Sequence, residues 1–143
     1  MHPTLRSIVS LGGGLVAAFL IFLLIQGVNS VLFPPPAGTD LRDSEAMRRF
    51  AETLPTTAFL VVLLSYAVGS FAAGWIAARY APRGAMSHAL VVGAALTLVG
   101  VMNLMALPHP TWFWVVNLPE FVLFAWLGAK VATGTRPSGA VPA

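Results

Sequence analysis

Cysteine is absent from this chain of 143 residues, and charge is scarce. Without cysteine there is no disulfide, no thiolate nucleophile and no thiolate metal site, although the redox compartment stays open. Charged residues make up 9% of the chain, against about 25% in an ordinary soluble domain. Hydrophobic residues make up 57%. Such a composition cannot cover a water-facing surface of this size, so the chain reads as a polytopic α-helical membrane protein. The formal net charge of +3 comes from basic residues scattered at the ends of apolar runs. There they serve as membrane anchors, and no nucleic-acid partner is expected. The histidines, His2, His88 and His109, stand apart from one another with no HExxH-like spacing, so no metal site is expected. His109 reads as an exposed turn residue between two prolines. There is no GxSxG, Walker A or dinucleotide-binding glycine pattern. Gly12-Gly13-Gly14 lies inside an apolar run, which argues against phosphate cradling. With no nucleophile–base–orienter set, no catalytic residue and no cofactor are expected, and the chain reads as non-enzymatic.

What is present is four long apolar segments. A bilayer core about 30 Å thick takes roughly 20 residues of helix. The spans fall at residues 8–33, 56–80, 86–107 and 112–131. The first is too long for the apolar part of a signal peptide, and no clear cleavage site follows it, so it reads as an uncleaved span. Pro34-Pro35-Pro36 ends it, because proline lacks an N–H and favours extended structure. Pro82 and Gly84 separate spans two and three, and Pro108-His109-Pro110 turns the chain between three and four. The expected fold is an all-α four-helix transmembrane bundle, one domain over residues 1–132. Residues 133–143, rich in Pro, Gly, Ser and Ala, read as a disordered tail.

Residues 40–54 form the sizeable polar segment. Leu41, Met47, Phe50, Ala51 and Leu54 fall near one helix face, with Asp43, Glu45, Arg48, Arg49 and Glu52 mostly elsewhere. Asp40 is the expected N-cap. This predicts a short amphipathic helix on the membrane surface, serving as a packed connector or, alternatively, as a lid or docking surface. With four spans both termini share one side. That side carries Arg6, Arg79, Arg83, Lys130 and Arg136, and the other carries Arg42, Arg48 and Arg49. Five basic residues against three put both termini in the cytoplasm by the positive-inside rule.

Small residues recur at helical spacing. Ser65, Gly69, Ala73 and Ala77 form one row, flanked by Ser70 and Gly74, and Ala85, Ala89, Gly93 and Thr97 form another. Gly12, Gly13, Gly14, Ala17 and Ala18 offer a similar patch. Such rows let helix backbones approach closely, either within the bundle, the favoured reading, or between copies in a homo-oligomer.

The polar residues inside the spans gather at one level. Gln26, Ser65, Tyr66 and Glu120 lie about 10–15 Å from the outer surface at 1.5 Å per residue. Asn29 and Ser30 share a face with Gln26, Asn117 shares one with Glu120, and Asn103 lies nearer the outer end of the third span. A carboxylate within a span must be neutralised, hydrated or paired, and no Lys or Arg of the chain lies at its depth. Asn117-Leu118-Pro119-Glu120 also resembles a helix start. The last helix therefore begins near Trp112 with a proline kink, or near Leu118.

The stretches TTAFLVVLLSYAVGSFAAGWIAARY, LPHPTWFWVVNL and AWLGAKVA resemble a group of small bacterial four-span inner-membrane proteins, which carry no assigned activity. That resemblance implies a bacterial inner-membrane location and no mechanism. Residues 63–74 are similar to the second-span motif of small bacterial fluoride channels. Gly69-Ser70-Phe71 is present, but Tyr66 stands where those channels have Asn, and their third-span Phe/Thr/Ser motif is missing. Fluoride conduction is therefore not expected.

The polar level suggests an outward-facing pocket, with Glu120, Asn117, Gln26, Asn29, Ser65, Tyr66 and Asn103 as its candidate residues. The leading expectation is an accessory or binding protein that takes a membrane-protein partner or a lipid-like ligand. Next comes a small oligomeric transporter or channel using Glu120 with Gln26, Tyr66 and Asn117. Third is a lipid-modifying enzyme with His109 or Glu120 as an acid–base group.

Overall fold

A computed structural model describes residues 2–40 and 42–134. Leu41 and residues 135–143, and with them most of the expected tail, lie outside the described residues. The described chain is all-helical: α1 Pro3–Leu32, α2 Ser44–Thr53, α3 Thr56–Tyr80, α4 Ala85–Ala106 and α5 Thr111–Gly134. The four long helices are each long and apolar enough to cross a bilayer. Their outward side chains, such as Leu23, Leu24, Val31, Met102, Met105 and Val115, are apolar and exposed. Water would penalise that surface and hydrocarbon does not. The protein is an integral, multi-pass membrane protein.

Local chemistry explains most boundaries. α1 begins at Pro3, five residues before the expected start, because proline suits the first helical turn and the His2 side chain accepts the Thr4 N–H. It ends where Phe33 donates its N–H to Asn29 O at 2.9 Å and the proline run follows. The cap of α2 is Asp43, not the expected Asp40. The Asp43 carboxylate accepts the Glu45 N–H at 2.9 Å, and Asp40 accepts that of Arg42 in the preceding turn. Gly84 enters α4 with a left-handed φ of 61°, a conformation that costs glycine least. α5 runs unbroken past Pro119. This excludes a helix start at Leu118, and Asn117 sits inside the helix rather than capping it. The helix also continues through Thr133 and Gly134, which the expected tail had claimed.

α3 is the central helix. It packs most extensively on α5 and α1 and also on α4, whereas α1 touches α4 only slightly and makes no packing contact with α5. α3 and α5 run the same way, with Phe59 against Phe113, Tyr66 against Phe121 and Gly74 against Ala125. α1 and α4 run opposite to them. Close approach depends on missing side chains. A methyl group on Gly14 would lie 2.7 Å from Ala73 O, and one on Gly93 would lie 3.0 Å from Val122 Cα. Methyl groups on Gly74 and Gly128 would overlap the backbones of Ala125 and Phe71. Gly69 takes the ring of Phe22, and Ala73 and Ala89 are fully buried. These glycines and alanines are thus used inside the monomer.

Gly74→Ala should destabilise the bundle by about 1–3 kcal/mol, because the Ala125 backbone cannot yield as a side chain would. Gly12→Ala, with no atom within 4 Å of the added carbon, should leave stability unchanged. Reversible unfolding in mixed micelles measures both. Equal losses would mean that the α3–α5 approach does not hold the fold.

Candidate functional site

At the end of the bundle nearest α2, helices α1, α3 and α4, with Phe121 of α5, line a half-open cavity of about 440 Å³. Phe19, Phe22 and Leu23 of α1, Phe59 and Val62 of α3, and Leu96, Val99 and Gly100 of α4 form its apolar walls. Ala51 and Leu54 of the α2 segment, with Leu107 and His109 of the following turn, lie across its mouth. No close backbone approach joins α2 to the spanning helices. Its burial comes through Ala51, which faces the same small pocket as Pro108, His109 and Pro110.

Four of the seven expected site residues line this cavity: Gln26, Asn29, Tyr66 and Asn103. Asn103 donates an amide N–H to the Tyr66 hydroxyl at 2.8 Å and so ties α4 to α3. The Tyr66 ring is held edge-on by Phe22, with centroids 5.1 Å apart, and leans on Phe121 at 5.0 Å. Asn29 donates to Gln26 Oε1 at 3.4 Å, while Asn29 Oδ1 is buried without a partner. Ser30 turns outward and donates to Gly27 O of its own helix.

The other three expected residues do not line the cavity. Ser65 is fully buried and donates to Val62 O of its own helix, which satisfies its hydroxyl locally. Asn117 is fully buried, and neither of its amide atoms has a partner. Glu120 is 7% exposed, and its Oε2 is buried and unpartnered. Both lie on the buried side of α5, and neither lines the cavity. The expected polar residues therefore do not all share one cavity; Phe121, directly after Glu120, lines it instead.

His109 differs from its expected exposed position. It is half-buried, and its ring stacks on Phe113 at 4.9 Å and meets Phe59 edge-on at 5.9 Å. Nδ1 donates to Leu107 O at 2.8 Å, leaving Nε2 as the acceptor in the neutral ring. The aromatic run Trp112-Phe113-Trp114 beside it was the available signal, since such rings build a cluster that a neighbouring histidine can join. His88 also has a partner, with Nε2 3.0 Å from Ser7 Oγ, so it links the ends of α4 and α1.

Among the described residues no group of three or more His, Cys, Asp or Glu comes together to hold a metal. No family model, curated protein or solved structure matches the chain.

The Tyr66–Asn103 bond is a measurable unit. A double-mutant cycle with Tyr66→Phe and Asn103→Ala should give a coupling of about 0.6 kcal/mol, the typical size for interhelical hydrogen bonds in bilayers. Additive losses would show that the bond does not join α3 to α4.

Proposed function

We propose that the protein is a non-enzymatic binding protein of the bacterial inner membrane, holding one small lipid-like molecule in the cavity between α1, α3 and α4. The observation that carries this reading is the cavity's chemistry. Its walls are mainly Phe, Leu, Val and Ala, and its polar atoms are confined to a few side chains led by Asn103, Tyr66, Gln26 and Asn29. Pockets for small molecules commonly measure about 300–1,000 Å³ and share this make-up: apolar walls for bulk and a few polar groups for orientation. A molecule with an apolar body and a hydrogen-bonding head suits it. The Asn29 carbonyl, buried and unpartnered, is an acceptor such a head group can satisfy.

Both termini belong in the cytoplasm, which the five-to-three balance of basic residues supports. The cavity mouth and α2 then face outward. The resemblance to small bacterial four-span proteins goes with that membrane. An accessory role follows from α2, whose charged face is free to meet a membrane partner while Ala51 and Leu54 cover the ligand. A second reading, a small oligomeric transporter, is favoured by one observation: the buried and unpartnered Glu120 carboxylate.

Native mass spectrometry of protein extracted gently from its own membrane tests this. One small molecule should be retained at fixed stoichiometry. Val99→Trp, at a partly exposed wall position, should remove it without unfolding the bundle. Asn103→Ala should weaken retention roughly 3–10-fold, the value of one hydrogen bond. Protein that carries no bound mass under any mild extraction would sink the reading.

A further inference from the structure

We propose that the cavity takes an uncharged lipid with an alcohol head group, of which diacylglycerol is the type, and admits it sideways from the bilayer between α1 and α4. This rests on the reading of the cavity as a lipid site, and it names the lipid class and the route.

The route comes from what rims the cavity. α1 and α4 touch only slightly. They are joined at the ends remote from α2, where His88 Nε2 lies 3.0 Å from Ser7 Oγ. Nearer α2 the cavity lies between them, and its rims belong to the outer surface of the bundle. Leu23 of α1 is 70% exposed, and it lines both the cavity and a shallow apolar groove with Leu24, Gly27 and Val28. Val99 of α4 is 43% exposed and follows the exposed Leu98. Toward α2, by contrast, Leu54, Leu107 and His109 lie across the mouth beside the buried Ala51. The open side therefore faces hydrocarbon, which an apolar chain crosses freely and a polar solute does not.

Position along the helices sets how a lipid lies. On α1, Gln26 and Asn29 follow Phe22 by about one and two turns toward α2, and on α4 Asn103 follows Val99 by about one turn. Phe19, Phe22, Leu96 and Val99 line the deeper part. An amphiphile fits with its head toward α2 and its chain leaving between Leu23 and Val99.

The head group follows from charge and from hydrogen bonding. Among the described residues no Asp, Glu, Lys or Arg lines the cavity, and His109 gives its Nδ1–H to Leu107 O. A phosphate or an ammonium would lie there unpaired and poorly solvated, which is costly. The polar atoms call for a donor and an acceptor together. Asn29 Oδ1 is buried without a partner. The Tyr66 hydroxyl accepts from Asn103 and has its own proton to give. A hydroxyl supplies both functions, whereas a carbonyl only accepts.

Photo-crosslinking of the full chain in proteoliposomes tests the head group. A diacylglycerol carrying a diazirine in its acyl chain should label the segments around Leu23 and Val99 saturably. Unlabelled phosphatidylglycerol with the same chains should compete at least about tenfold more weakly than unlabelled diacylglycerol, because its charge finds no partner. Diacylglycerol capped as its acetate should compete about 3–10-fold more weakly, the value of one hydrogen bond. Equal competition by either lipid overturns the assigned head group while leaving the cavity a lipid site. Absence of saturable labelling, in protein that retains another small molecule in native mass spectrometry, does the same. Absence of both labelling and retained mass sinks the cavity reading itself.

The route has its own test. Cysteine is absent, so introduced thiols react alone. A bifunctional maleimide joining Leu23→Cys to Val99→Cys should trap the diacylglycerol when added after loading and stop uptake when added before. The same reagent joining Glu52→Cys to Pro110→Cys pins α2 to the turn, at positions that share a small pocket and do not line the cavity. It should leave both rates unchanged. Uptake that stops when α2 is pinned places the entrance under α2 and overturns the lateral route.

Discussion

Everything in this bundle hangs on how closely α3 can approach its neighbours. Lipid tails are as apolar as leucine, so helices in a bilayer gain nothing from simply hiding apolar surface on each other. Van der Waals contact has to hold them, and that contact falls away steeply with distance. Gly14 against Ala73, Gly74 against Ala125 and Gly128 against Phe71 bring backbone to backbone. Each contact involves α3, which is why α1 and α5 can sit in one bundle without packing on each other.

The cavity is the other side of that economy. Small residues dominate the half of the bundle nearest the chain termini, so the helices close there. Phe22, Phe59, Phe113 and Phe121 occupy the half nearest α2 and act as spacers. Phe113 and Phe121 fill the space between α3 and α5, and Phe121 also lies over Gly100 of α4. Between α1 and α4, Phe22 leans on Tyr66, which leaves the rest of that space open. An open end needs a cover, and the connector supplies one through Ala51 and Leu54. The Asp43 cap and the exposed Arg48–Glu52 pair, 3.6 Å apart, keep the other face of α2 polar.

Spans and breakers were legible in the sequence because they rest on composition and on proline, which act locally. The row through Gly69, Ala73 and Gly74 was legible too, since four-residue spacing fixes a face. The grouping of the polar side chains was not. Depth follows from counting residues, and on that count Gln26, Tyr66 and Glu120 belong together. Which of them line the cavity depends on helix rotation, and rotation here is set by glycine contacts between different helices. Asn117 illustrates a second limit. Its sequence neighbourhood reads as a helix cap, but packing of Phe113 and Phe121 on α3 keeps the helix running through it. Proline at position 119 tolerates this because it faces outward, where its missing N–H disturbs no packed neighbour. His109 illustrates a third. Flanking prolines suggest an exposed turn, whereas stacking on Phe113 draws the ring inward.

Tyr66 joins the polar side of the cavity to the aromatic packing between the helices. Its hydroxyl takes the Asn103 amide at the cavity wall, and its ring lies on Phe121, the residue after Glu120. With the amide N–H donating, the phenol keeps its own proton for a further acceptor. Room for the rings around it depends on Gly69 and Gly100, which leave space for Phe22 and Phe121 on either side of Tyr66.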